Sequence, residues 1–508
     1  MFAKVNSLGL FGLNAFPVEV ETEVSRGTPC FDIVGLADTS VKESRERIRA
    51  AFRSAGIAFP LARVIVNLAP ADTKKTGSMH DLAIFAALLK ITGNIDENID
   101  KTAFIGEVSL NGDVRHVNGV LPMVLCAERS GFDTVFVPSA NAYEASVVEG
   151  VTVYGIDNVS ELIGHFNREA VLIPQRKYEV LPEKRFDTVD FADVKGQQTA
   201  KKAMEYAAAG GHNLLMIGPP GSGKSMLAKR LSTIMPAMTF KESIETTNVH
   251  SVCGLVSKEN PLVTKRPFRS PHHTISGAGL SGGGTIPRPG EISLAHNGIL
   301  FLDELPEFSR QALEILRQPL EDKQVTISRA SGTVTYPCSF MLVAAMNPCP
   351  CGYFGHPTRK CICGKKQAHA YINRISGPLL DRFDIQVEVA PVEYEHLSSG
   401  VKEESSEAIR ERVQAAREIQ QKRFAGTDIT CNAMITPDIL HDVCPMTDEA
   451  SVMLKNVFEK MGLSARAYDR ILKVARTVAD MESEEVIGKS HIARAVQFRS
   501  LDRKYWSE

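Results

Sequence analysis

The chain has 508 residues, 44% hydrophobic and 23% charged, ordinary for a globular protein with ample core and enough for two to four domains of roughly 100–200 residues. Its formal net charge of −2 excludes a surface that is basic throughout, so any nucleic-acid-binding surface has to be local. Ten cysteines are too sparse for a disulfide scaffold, and no stretch reaches the ~18–20 apolar residues of a membrane span.

The N-terminal MFAKVNSLGLFGLNAFPVEV lacks a basic segment followed by an unbroken apolar run, so no secretory signal is expected and the protein is expected in the cytoplasm. Residues 1–170 mix short strands (PVEVETEV, ARVIVNLA, TVFVPS) with helices (DTSVKESRERIRAAFRSAG, DLAIFAALLKITG). Residues 171–188 carry prolines and mixed charge without a period and read as a linker. From 189 to 395 the apolar runs NLLMIG, GILFLDE, MLVAAMN and DIQVEVA alternate with helical stretches, which predicts a parallel α/β sheet. Residues 396–508 are helical, with apolar residues at i, i+3 and i+4 spacing.

NLLMIGPPGSGKSMLAKRL reads as strand, glycine loop and helix. It fits G-x-x-x-x-G-K-[ST] through Gly218, Pro219, Pro220, Gly221, Ser222, Gly223, Lys224 and Ser225, with Met226 next on the helix. Small residues let backbone N–H groups approach phosphate oxygens, and the helix start adds its dipole. Lys224 is expected on the β- and γ-phosphates of ATP, and the Ser225 hydroxyl on Mg²⁺. Downstream, GILFLDELPEF is a buried strand ending in two carboxylates: Asp303 suits Mg²⁺, and Glu304 suits the attacking water. FMLVAAMN ends in Asn347, a group able to orient that water. In ISGPLLDRFDI, Arg382 lies between two aspartates. It reads either as a local ion pair or as a charge lent to a neighbouring subunit's nucleotide.

Together these residues resemble the AAA+ ATPases of the magnesium-chelatase-like, helix-2-insert branch, and more closely the ComM/YifB family of competence-associated AAA+ proteins. The resemblance covers essentially the whole chain. It is most specific in FRSPHHTISGAGLSGGGTIPRPGEISLAHNGILFLDELPEF, AAMNPCPCG and RISGPLLDRFDI. The implied fold is an α/β AAA+ P-loop module with a C-terminal helical lid. The implied assembly is a homo-hexameric ring with nucleotide between subunits, and the implied activity is ATP-driven DNA helicase work and branch migration in natural transformation. The resemblance makes Lys224 and Ser225 Walker A, Asp303 and Glu304 Walker B, Asn347 sensor 1 and Arg382 the finger. Arg466 becomes sensor 2 with Arg470 the fallback, and Val194 and Gln197 lie near the adenine. A chelatase-type motor that remodels a protein partner shares the same parental fold.

The N-terminal region resembles an α+β Lon-protease domain of the ribosomal S5 type, notably in GEVSLNGDVRHVNGVLPMVLCAERSGFDTVFVPSAN. A Lon-type dyad needs a serine and a lysine that activates it. KTGSMHD puts Met79 at the serine position, with Ser78 one residue away, and NGVL puts Leu121 at the lysine position. An inactive module for assembly or substrate guidance is expected.

Three segments offer local positive charge for DNA. No acidic residue lies between Glu259 and Glu291, a glycine-rich stretch holding Arg269, His272 and His273; it suits a loop that tracks a phosphate backbone, or simply a solvated surface loop. QVTISRASGTVTYP resembles a hairpin with Arg329 near its tip. From Cys349 to Leu380 there is again no acidic residue, and Arg359, Lys360, Lys365 and Lys366 interleave with aromatics. Within that segment Cys349, Cys351, Cys361 and Cys363 can bind Zn²⁺ tetrahedrally, with His356 and His369 as substitute ligands; free thiols or a redox switch are the alternatives.

Overall fold

The computed structural model describes residues 1–95, 97–179, 189–285, 287–330, 332–356, 358–391, 403–499 and 501–506. The second half of the expected linker (180–188) and the expected boundary at 395/396 lie outside the described residues.

In the N-terminal region, β1 (Phe2–Phe11) and β2 (Asn14–Ser25) form an antiparallel hairpin, with Phe11 opposite Asn14 at the turn. β3 (Cys30–Val34), β4 (Arg63–Ala69), β5 (Thr102–Phe104), β6 (Thr134–Pro138) and β7 (Thr152–Ile156) complete a sheet of order β3-β4-β2-β1-β5-β6-β7. Val18, Val20 and Thr22 of β2 alternate into the core, the period of a strand with one covered face. Helix α1 (Thr39–Ser54) starts at Asp38, whose carboxylate accepts from the Val41 N–H at 2.9 Å. Helix α2 (Asp81–Ile91) is apolar through LAIFAALL and is buried on every side. Helix α3 (Val120–Arg129) packs Val120, Leu121 and Val124 into the second core cluster of this region.

The ATPase region is a five-stranded parallel sheet. Its strands are β8 (Leu214–Ile217), β9 (Phe268–Arg269), β10 (Ile299–Leu302), β11 (Met341–Met346) and β12 (Ile385–Glu388), in the order β9-β10-β11-β8-β12. Side chains alternate between its faces. Leu214, Met216, Phe301 and Val343 enter one core cluster, while Leu215, Ile217, Leu302 and Ala344 enter the other. Both faces are covered, which explains the continuous apolar runs seen in the sequence. The first cluster is closed by helices α4 (Gln198–Gly210), α5 (Lys224–Ile234), α6 (Ser406–Arg423) and α7 (Ala465–Met481). The C-terminal helices therefore share the core of the sheet. Asp480 on α7 anchors them, accepting from Arg423, Arg476 and Asn432 while fully buried.

The two regions touch. Phe11 and Leu13 at the β1–β2 turn pack on the second core cluster of the ATPase region, and Gly12 lies against Val334. The buried Glu144 carboxylate accepts from the Ser251 hydroxyl of the ATPase region and, at 3.0 Å, from the Leu121 N–H. No helix among the described residues is long and apolar enough to cross a membrane.

Candidate functional site

The carboxyl ends of the parallel strands converge at one edge. The loop after β8 carries Gly218–Gly223, β10 ends before Asp303 and Glu304, and β11 ends before Asn347. Because β11 lies between β10 and β8, Asn347 comes between the phosphate loop and the carboxylates. This is where an open parallel sheet places its ligand.

Lys224 opens α5 and is buried. Its ammonium donates to the carbonyls of Gly218 (2.8 Å) and Pro219 (2.9 Å) and to Asn347 Oδ1 (3.1 Å). None of these acceptors carries a full charge. Burial lowers the Lys224 amine to about 8, opposed by the charges of Asp303 and Glu304. Ser225 Oγ donates to Asp303 Oδ2 at 2.5 Å, which brings together the two oxygen groups suited to Mg²⁺. The Glu304 N–H donates to Asp303 Oδ1 at 2.9 Å, and Glu304 sits at φ 54°, an uncommon region for a residue with a Cβ. That backbone turn separates the two neighbouring carboxylates: one faces Ser225 and the other stays exposed to solvent.

Some residues meet the site that the sequence directed elsewhere. His273, grouped above with DNA-tracking residues, has Nδ1 3.4 Å from Glu304 Oε2 and its ring against Phe308. The signal was its place just after β9, at the same strand-end edge as the other site residues. Arg269 is held by Glu291 in a two-point pair of 2.6 and 2.7 Å. His272 is exposed and stacks on His273 at 4.1 Å.

The arginines assigned to sensing stand apart from the phosphate loop. Arg382 pairs with Glu321, not with its flanking aspartates, and its buried Nε has no hydrogen-bond partner. Arg470 lies 3.4 Å from Asp384. Burial alone would raise the Asp384 carboxyl, but His212, Arg470 and Lys473 outweigh it and hold it at about 2. Arg466 is exposed on the first turn of α7 and makes no hydrogen bond or ion pair among the described residues. Val194 is buried in the first core cluster, and Gln197 bonds the Ala390 carbonyl through its side-chain amide.

The four cysteines form one knob. Sγ of Cys349 lies 3.4 Å from that of Cys351 and 3.7 Å from that of Cys361; Cys351 and Cys361 are 3.5 Å apart, and all four sulfurs, Cys363 included, lie within 4.8 Å of one another. Tetrahedral sulfur ligands around Zn²⁺ at ~2.3 Å would be ~3.8 Å apart, so the set fits that ion. Burial opposes ionisation of Cys351, but N–H groups of Tyr353 and Ile362 bonded to its sulfur bring the thiol down to about 6. Neither His356 nor His369 joins the set. Around the knob, Lys360, Lys365 and Lys366 are exposed, as is Arg329 on the hairpin Gln324–Arg329/Gly332–Pro337; none of the four forms an ion pair among the described residues.

Comparison with known proteins accounts for this layout. Three family models match: "Magnesium chelatase, subunit ChlI" over residues 190–397, "Subunit ChlI of Mg-chelatase" over 20–141, and "Magnesium chelatase, subunit ChlI C-terminal" over 403–499. The chain is 42% identical to the competence protein ComM of Haemophilus influenzae, an alignment covering 99% of this chain and 98% of that protein. It is 40% identical to YifB of Escherichia coli over 98% and 97% of the two chains. Lon protease 2 of Bacillus subtilis is 30% identical over 154 residues, 28% of this chain and 26% of that protein. With its phosphate loop, paired carboxylates and Lon-like front end in one continuous match, the chain belongs to the ComM/YifB family of magnesium-chelatase-like AAA+ proteins.

Proposed function

We propose that the protein is a hexameric ATP-driven motor that moves DNA, acting as a helicase and branch-migration enzyme when transforming DNA is integrated during natural transformation. The observation that carries the ATPase half is the convergence of Lys224, the Ser225–Asp303 pair, Glu304 and Asn347 at one strand-end edge. Lys224 would hold the β- and γ-phosphates of the substrate ATP. Ser225 and Asp303 would hold Mg²⁺, which supplies positive charge to the leaving phosphates. Glu304 would take a proton from the attacking water, with Asn347 orienting it and His273 positioning the carboxylate.

The hexamer is supported by Arg382. It is paired with Glu321 and bonds nothing in its own phosphate loop among the described residues, as suits a finger that serves a neighbour's nucleotide once released. DNA is supported by the relative named a competence protein and by the cations Arg329, Lys360, Lys365 and Lys366, unpaired among the described residues, and by the exposed His272. Zn²⁺ on the four cysteines would supply folding energy to an insert with little core of its own. Leu121, fully buried, offers no amine to Ser78, whose hydroxyl is bonded to Glu107; we read the Lon-like region as a non-proteolytic scaffold.

The test is ATPase rate and strand exchange on three-stranded junctions, with Lys224→Ala and Glu304→Gln as controls. DNA-stimulated hydrolysis coupled to branch migration is expected. A rate indifferent to branched DNA, together with no DNA binding, would remove the reading and favour a motor acting on a protein.

A further inference from the structure

The cleft beside the phosphate loop has walls from distant parts of the chain. Its lining includes Asp193 and Lys195 together with Pro220 and Gly221 of the loop. The cysteine knob lines the same cleft through Tyr353 and Arg359. The cleft measures ≈ 550 Å³, within the range of about 300–1,000 Å³ for small-ligand sites.

The knob is in contact with the loop. Gly352, at φ +84°, comes so near that a Cβ there would fall 2.3 Å from Pro220 Cδ. Phe354 packs on the second core cluster below. The Arg359 guanidinium lies 5.3 Å from the Tyr353 ring centroid, and its Nη1 donates to the Tyr353 hydroxyl at 2.8 Å. His356 Nδ1 accepts from the backbone N–H of Arg359 at 3.0 Å, fixing the turn that presents the arginine. No carboxylate among the described residues pairs with Arg359. A guanidinium with further N–H donors, already oriented and without a counter-charge among the described residues, shares a cleft with a phosphate-binding loop. That arrangement complements a polyphosphate.

We propose that Tyr353 and Arg359 form the outer wall of the nucleotide site, contacting bound nucleoside triphosphate, and that a metal ion held by Cys349, Cys351, Cys361 and Cys363 sets nucleotide affinity by fixing that wall. The proposal rests on reading the chain as an ATP-binding motor. Cys351 lies two residues before Tyr353, and Cys361 lies two after Arg359. Sulfurs bound to one ion therefore tie both ends of the turn. Without the ion the turn has to be ordered by nucleotide itself, and affinity falls by that cost.

The experiment titrates full-length protein with a fluorescent N-methylanthraniloyl ATP in the absence of DNA, and measures zinc per chain. Arg359→Ala is expected to keep its zinc and raise the Kd about tenfold, the size of one charge-assisted hydrogen bond. Arg359→Lys should recover part of the loss. Gly352→Ala, which keeps the Arg359 side chain but pushes the knob off Pro220, should move the Kd the same way. Chelating the metal from wild type should raise the Kd, and returning Zn²⁺ should restore it.

An unchanged Kd in zinc-loaded Arg359→Ala overturns the wall, as does a variant that loses only DNA affinity. A Kd indifferent to chelation and to added Zn²⁺ overturns the metal link. Lys224→Ala keeps the two readings apart. If wild type binds no nucleotide, or Lys224→Ala binds as well as wild type, the ATP-motor reading fails; if only the Arg359 and metal arms are silent, this inference alone falls.

Discussion

The buried carboxylates of the Lon-like region and the strand-end edge of the ATPase region treat polar groups in opposite ways. In the first, Asp81 accepts from Ser44, from two nitrogens of Arg47 and from the Val108 N–H, and Glu144 accepts from Leu121, Asn141 and Ser251. Met79 and Leu121 put apolar atoms where the resembled protease carries its dyad. At the second, Lys224 rests on uncharged acceptors and Glu304 holds an uncommon backbone angle. Satisfied groups make a scaffold, whereas a site that must receive an anion keeps charge unneutralised until the anion comes.

Substitutions can break or sharpen this contrast, beginning with the largest expected effect. Glu304→Gln should lower the ATPase rate by about 10²–10⁴-fold while nucleotide binding survives, since only proton transfer is removed. Equal loss of binding, read in a nucleotide titration, would show that Glu304 serves the fold of the site instead. In the scaffold, Leu121→Lys should destabilise by about 3 kcal/mol in denaturant unfolding and yield no digestion of casein, because the ammonium is buried beside a filled core. Gain of peptidase activity with Met79→Ser in the same chain would erase the contrast.

Glu144→Ala should cost about 1–3 kcal/mol by leaving the Leu121 N–H and Ser251 hydroxyl without their acceptor, again read by denaturant unfolding. His273→Ala should lower kcat about tenfold with nucleotide Kd unchanged, the mark of a residue that positions Glu304 and does not hold substrate. The mildest effect is that of pH. Burial lowers the Lys224 amine to about 8, and on the proposed reading nucleotide binding needs it charged. The Kd should therefore be flat below that value and rise above it by at most about tenfold per pH unit, with Lys224→Ala losing the slope.

Much of the fold was legible. Two-sided apolar runs marked the parallel strands because both faces of that sheet are covered, and the glycine loop and paired carboxylates followed from backbone and metal chemistry at fixed spacing. Arg382 was less so: local sequence offered it Asp381 and Asp384, yet its partner is Glu321, sixty-one positions away in the chain. His273 and Arg269 read alike as loop cations, and the structure separates them. One faces the Glu304 carboxylate, while the other is neutralised by Glu291.

The sequence by itself determined which groups can bind phosphate, metal and water, because those capacities live in side-chain chemistry and in turns a few residues long. Only the tertiary structure decided which cations stay unpaired, that the C-terminal helices share the core of the sheet, and that the cysteine knob lies against the phosphate loop. Periodicity tells a segment which face to bury but not against what, and these contacts join residues more than a hundred positions apart, such as Gly352 and Pro220.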